Sequence, residues 1–194
     1  EYAQYWQDAM FDNATLSSFS PDIIYIHTTT RNLERFLPKI SDSAERVDAC
    51  FASAKEHFRG MWQKLEDTYH CTIIQNNFEL PVYRILGNRD IADIHGESYF
   101  VQQMNLFVSE YAMQHKSFFI NDVNYVSACF GLDKWHDLSC WYMYKYAMAL
   151  NAIPYLSHNL ANIIKSIYGK NKKALALDLD NTLWGGIVGD DGVD

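Results

Sequence analysis

Two carboxylates set two residues apart, Asp178 and Asp180, are the side chains in this sequence best placed to do chemistry. They close a short apolar run, 174–177, within KKALALDLDNTLWGGIVGDDGVD, residues 172–194. An apolar run ended by acids, Asn181, Thr182 and a glycine-rich segment reads as a buried strand that delivers carboxylates to the loop at its C-terminal end. On extended chain, side chains at i and i+2 point to one side. Such a pair can share a divalent cation and divide nucleophilic and acid/base work between them. The stretch falls at the end of the 194-residue sequence, so most of any domain it opens is expected to lie beyond it.

The elements that must carry these residues follow from periodicity. Residues 22–27, DIIYIH, form a compact β-branched run that reads as a central strand ending in polar Thr28 to Asn32. Residues 43–69 predict a long amphipathic helix, with Val47, Phe51, Ala54, Phe58, Met61 and Leu65 recurring at steps of three and four. A second strand is expected over 71–75, a helix over 96–115 and a third strand over 117–120, after which Asp122 can cap a short helix. Residues 12–21 and 131–138 read as irregular. Proline at 154 and glycine at 169 bracket a last helix over 154–168. Strands alternating with helices predict an α/β fold, a three-layer α/β/α sandwich with a mainly parallel sheet. A boundary is expected near 169–172, giving an α/β domain over 1–170 and the beginning of another over 171–194.

Bulk composition narrows the class. The chain is 48% hydrophobic and 15% aromatic, enough for a substantial core. A net charge of −8 with no basic patch argues against a nucleic-acid partner. No apolar run approaches the ~20 residues of a membrane span, and no signal peptide is visible. Four widely spaced cysteines, Cys50, Cys71, Cys129 and Cys140, with no metal-binding spacing, suggest reduced thiols and a cytoplasmic protein. The chain opens on Glu1 rather than Met, so residues upstream are expected to have been removed.

DLDNT matches the DxDxT motif of haloacid dehalogenase-like (HAD) phosphotransferases, and the fuller LDLDNTLWGG followed by GDDG resembles the FkbH-like branch, subfamily IIIC. The resemblance implies Asp178 as the nucleophile that takes the phosphoryl group. It implies Asp180 as general acid and base, and Thr182 as a brace for the loop beside the cofactor. Mg2+ would be held by Asp178 and the Asp180 backbone carbonyl. Asp190, Asp191 and Asp194 read as a solvated turn. The family draws its remaining catalytic motifs from further downstream, so this chain is expected to show no phosphatase activity by itself.

The preceding region is similar to the N-terminal part of FkbH-like proteins through PDIIYIHTTTRNL, IIQNNFELP and FFINDVNYVSACFGLDKWHD. That part resembles an SGNH hydrolase domain, a flavodoxin-like sandwich whose first strand would lie upstream of Glu1. The resemblance implies Asn32 as an oxyanion donor, and Asp133 and His136 as an orienting acid and a base. The glycine and the serine turn of such enzymes have no counterpart here. The competing reading of the DKWH segment is a turn in which Trp135 packs and Asp137 caps the next helix. His27 reads as a satisfied core histidine, Asn76, Asn77 and Glu79 as residues near the same cleft, and Trp141, Tyr142, Tyr144 and Tyr146 as packing residues.

Three functions follow. The resemblance implies a phosphatase or phosphotransferase acting on a phosphorylated small molecule, with glyceryl transfer to an acyl carrier protein in some relatives and links to polyketide or surface-polysaccharide synthesis in others. The α/β body could instead be an SGNH-type esterase or acyltransferase, or a non-catalytic module that docks a carrier protein.

Overall fold

Three short apolar strands, β1 (Ile23–Ile26), β2 (Thr72–Asn76) and β3 (Phe118–Asn121), pair in parallel in the order β1-β2-β3. In the computed structural model, which describes residues 5–11 and 14–170, helices connect each strand to the next. The chain runs α1 (Tyr5–Phe11), α2 (Ala14–Phe19), β1, a 3-10 segment Thr30–Phe36, α3 (Ala44–Tyr69), β2, a 3-10 segment Gly87–Ile91, α4 (Glu97–Gln114) and β3. It continues through α5 (Val123–Phe130), α6 (Leu132–Trp135), α7 (Leu138–Tyr144), a 3-10 turn Leu150–Ala152 and α8 (Ile153–Ile167). This is the α/β/α sandwich that the alternation of periods predicts. Residues 12–21, expected as a loop, include the short helix α2, and 131–138 includes α6.

Register assigns each strand residue to a face. Ile73 pairs with Phe118 and Gln75 with Ile120, so these face one layer, while Asn76 and its partner Asn121 face the other. The first layer is α3 and α4. Ser43 caps α3 by accepting from the Arg46 amide, and His70 ends it in a left-handed turn at φ 50°. The buried stripe of α3 is Val47, Ala54, Phe58, Met61, Trp62 and Leu65: Trp62 joins the expected residues, and Phe51, expected among them, is only partly buried. Trp62 is fully buried, with ring centroids 5.5 Å from Phe107, 4.6 Å from Tyr111 and 4.9 Å from Phe118. Its indole N–H donates to Gln75 Oε1 at 2.9 Å. Helix α4 begins where Gly96 crosses Asp90: a Cβ at 96 would run into the Asp90 carbonyl, so only glycine fits. Asp90 Oδ2 then accepts from the Ser98 amide at 2.7 Å.

A smaller apolar cluster, Val123, Trp135, Met148, Ala149, Ala152 and Leu156, gathers α5, α6 and the start of α8. Asp122 caps α5 and Asp137 caps α7, each accepting from a backbone amide. Trp135 packs here with no exposed surface. The chain divides into two units, 1–161 and 162–194. The described part of the second is the end of α8, closed by Gly169 at φ 66°. The expected boundary near 169–172 falls at the edge of the described residues, and the domain expected from 171, its strand, Asp178, Asp180 and Thr182 lie outside them. No described helix is long and apolar enough to cross a membrane.

Candidate functional site

All three strands deliver polar residues to their C-terminal ends, where parallel α/β sheets place ligands. The chain leaving β1 carries Thr28, Thr29 and Thr30, all buried. The chain leaving β2 carries Asn76, Asn77 and Glu79, and β3 ends in Asn121. A side-chain ladder joins the strand ends. Tyr25 Oη donates to Asn76 Oδ1 at 2.9 Å, Asn121 Nδ2 donates to the same oxygen at 2.8 Å, and Asn159 of α8 donates to Asn121 Oδ1 at 2.7 Å. Asn76 Nδ2 donates to the Thr28 carbonyl at 3.1 Å and lies 3.0 Å from His27 Nδ1. With the Tyr25 proton committed to Asn76, His27 Nδ1 is assigned as the acceptor of the amide and the ring proton to Nε2. Burial pushes the His27 pKa below its ordinary value. His27 is therefore the satisfied histidine expected from its strand.

The loops after β1 and β2 are clamped together. Asn105 of α4 holds Phe78 from both sides, accepting from its amide at 2.8 Å and donating to its carbonyl at 2.7 Å. The Thr30 hydroxyl donates to the Glu79 carbonyl. Glu79 is thereby fixed with no exposed surface, and neither carboxylate oxygen has a hydrogen-bond partner among the described residues. Burial drives its pKa up to about 7, with the amides of Glu79 and Thr30 and the charge of Arg31 opposing. A carboxyl held near neutrality is suited to give or take a proton at physiological pH.

Thr30, whose hydroxyl holds the Glu79 carbonyl, also lines a cavity of about 210 Å3 together with Arg31, Glu97, Asp133 and His136, while Glu79 itself does not line it. Asp133 and His136 are thus brought to one cavity, but no hydrogen bond joins them among the described residues, and His136 Nε2 is buried without a partner. Burial lowers the His136 pKa, the Leu80 backbone raises it and Arg31 lowers it further. Glu97 is raised by burial and then by the nearby Glu34 and Asp90. Asn32 goes elsewhere. Its Oδ1 accepts from the Thr29 amide at 2.9 Å in a capping box, and the residue lines a neighbouring cleft rather than this cavity. The capping box explains an asparagine at this position without an oxyanion. Among the described residues no group of three or more His, Cys, Asp or Glu is placed to hold a metal ion.

Sequence reasoning noticed Glu79 only as a neighbour of the cleft. What it missed is burial: a glutamate two residues before a proline reads as loop, and only the Asn105 clamp makes it interior. Tyr142, Tyr144 and Tyr146, expected to pack, are instead 71%, 58% and 47% exposed.

Glu79 gives the domain a distinct pH response. Its folded pKa, about 7, lies above its ordinary 4.5, so the stability it permits is fully present below about 4.5 and is lost as pH rises through 7. The full loss is on the order of 3 kcal/mol, and Glu79→Gln should remove it. Melting curves from pH 4 to pH 8.5 test this: Glu79→Gln should gain relative to wild type on the alkaline side. A variant that parallels wild type at every pH would contradict the burial of an ionisable group here.

Comparison with known proteins places this geometry. The profile of the FkbH N-terminal domain matches residues 1–165. No curated protein matches the chain. Among solved structures, the crystal structure of the N-terminal part of the protein BF1531 from Bacteroides fragilis, containing a phosphatase domain complexed with Mg, superposes with a TM-score of 0.82 at 27% identity. The match covers 99% of this chain and 50% of that one, so this chain spans about half the length of its structural relative. With the family profile covering most of its length, the chain belongs to the FkbH N-terminal domain family.

Proposed function

We propose that this chain is the α/β domain, 1–170, and the opening, 171–194, of a HAD-type phosphatase or phosphotransferase. The observation that carries this reading is DLDNTLWGG, which follows directly on an FkbH N-terminal domain whose structural relative contains a phosphatase domain. The carboxylate of Asp178 attacks the phosphorus of a phosphorylated small molecule. The ester P–O bond breaks as Asp180 gives its proton to the leaving oxygen. Asp180 then takes a proton from water as that water attacks phosphorus, and the bond to Asp178 breaks to release phosphate. Thr182 braces the loop.

The carboxylate and carbonyl oxygens of Asp178 and Asp180 suit a hard cation, and bound Mg2+ there neutralises the crowded anionic charge. In the glyceryl-transfer version of this reading, a thiol on an acyl carrier protein attacks the carbonyl of a three-carbon acyl phosphate in the reducing cytoplasm: the C–S bond forms, the C–O bond to the phosphoryl group breaks and phosphate leaves. Phosphate release by the full-length protein should depend on Mg2+ and vanish with EDTA, whereas the 194-residue chain should release none. Mg2+-independent turnover by the parent, or turnover by this chain, overturns the reading.

A second reading rests on Asp133 and His136, which line one cavity, with His136 Nε2 buried and without a partner among the described residues. In it the body is an SGNH-type esterase or acyltransferase. Hydrolysis of p-nitrophenyl acetate by the chain, lost in His136→Gln, would favour it.

A further inference from the structure

A second and much larger opening, about 1060 Å3, adjoins the strand-end cavity, and Arg31 and Glu34 line both. Its lining brings Trp6, Trp141 and Tyr144 together with three cations, Arg31, Arg35 and Lys145, against the single carboxylate of Glu34. This is a local excess of positive charge on a chain whose net charge is −8. The Arg31 guanidinium lies 4.0 Å above the Trp141 ring and the Lys145 ammonium 5.1 Å from it. Arg31 also pairs with Glu34 at 3.2 Å, on the surface. Among the described residues neither Arg35 nor Lys145 has a carboxylate within ion-pair distance.

We propose that this cleft is a binding site for a phosphate ester with an aromatic body, of the nucleoside monophosphate class, its phosphate held between Arg35 and Lys145 and its base stacked on the Trp141–Tyr144 side. The site is separate from the carboxylates of the proposed phosphatase and does not depend on that reading. Three physical points carry it. First, Arg35 and Lys145, gathered in one cleft with Arg31 and without carboxylate partners of their own among the described residues, raise its positive potential, and an anion relieves their repulsion. The field of Arg35 is felt locally: His57, whose Nδ1 lies 2.7 Å from the guanidinium, is held down to about 4 by burial and then by this charge.

Second, a guanidinium offers a fork that matches a phosphate, and the stacking of Arg31 on Trp141 fixes one side of the site before any ligand arrives. Third, Tyr144 and Tyr146 keep 58% and 47% of their surface exposed, with ring centroids 5.6 Å apart. Aromatic rings left open beside cations are the combination that stacks bases while neutralising their phosphates. The volume slightly exceeds the ~300–1,000 Å3 usual for small-molecule sites and is ample for a mononucleotide.

Calorimetric titration of the 194-residue chain with AMP, adenosine and inorganic phosphate tests this. AMP should bind saturably, with Kd about 10–100 μM, and adenosine and phosphate each at least about 10-fold more weakly. Raising the salt should weaken AMP binding. Arg35→Gln/Lys145→Gln should cost at least about 10-fold in affinity. Tyr144→Ala, at an exposed position where circular dichroism should be unchanged, should cost about 5-fold or more. The proposal is overturned if AMP gives no saturable binding up to about 1 mM, if phosphate alone binds as tightly as AMP, or if both variants bind like wild type.

Discussion

Asp178→Asn in the full-length protein should reduce magnesium-dependent phosphate release by at least ~10³-fold, because an amide nitrogen and a neutral oxygen replace the carboxylate that forms the covalent intermediate. The loss should fall on kcat, with substrate binding largely kept, since Asn preserves the size of the side chain. Asp180→Asn should cost about 10²–10⁴-fold and, unlike Asp178→Asn, should respond to the leaving group: substrates with acidic leaving alcohols need less protonation and should be hurt least. Asp191→Asn is the control, because the turn it occupies reads as solvated and its loss should change turnover less than about twofold. Steady-state phosphate release with a phenyl and a nitrophenyl phosphate separates these cases. Equal losses in all three variants would remove the special roles given to Asp178 and Asp180.

Trp62→Ala should be the most damaging single change to the fold. Trp62 is fully buried at the meeting of α3, α4 and β3, so truncation removes its contacts with Phe107, Tyr111 and Phe118 at once. Cavities of this kind cost ~3–5 kcal/mol. The variant also strips Gln75 Oε1 of its donor, adding ~1–3 kcal/mol for a buried acceptor left unmade. Against a total stability of about 5–15 kcal/mol, that is enough to unfold a marginal domain. Trp62→Phe keeps one aromatic ring while losing the N–H and part of the indole, so its cost sets an upper bound on the hydrogen-bond contribution. Urea unfolding should find it intermediate, and a Trp62→Phe loss as large as that of Trp62→Ala would show that the retained ring contributes nothing at this site.

Much of the scaffold was readable in advance because its signals are local. The stripe from Val47 to Leu65 keeps helical period through most of the 26-residue α3, and Ser43, Asp122 and Asp137 cap helices because short polar side chains reach nearby amides. Strand ends slipped by a residue, as with β3, where turn and strand residues share composition. The site was less readable because its properties arise between distant segments. Glu79 becomes interior only when Asn105, 26 positions later, clips Phe78, and Asn32 is spent on a cap that its own residue type allows but does not announce. The cationic cleft draws Arg35 and Lys145 from segments far apart in the chain, so no window of sequence contains it. Asp178 and Asp180 are the opposite case: the roles proposed for them rest on one continuous stretch, DLDNTLWGG followed by GDDG, and on no contact between distant segments.

The ladder across the strand ends has a polarity. Every amide in it gives its proton in one direction, Asn159 to Asn121, Asn121 to Asn76, and Asn76 to His27 Nδ1. Turning Asn121 over would set its oxygen against Asn76 Oδ1 and its nitrogen against the Asn159 amide, so the orientation of each dipole favours that of the next. The amide that meets the imidazole at the end of β1 is thereby joined, through two further side chains, to α8, 132 positions away in the sequence.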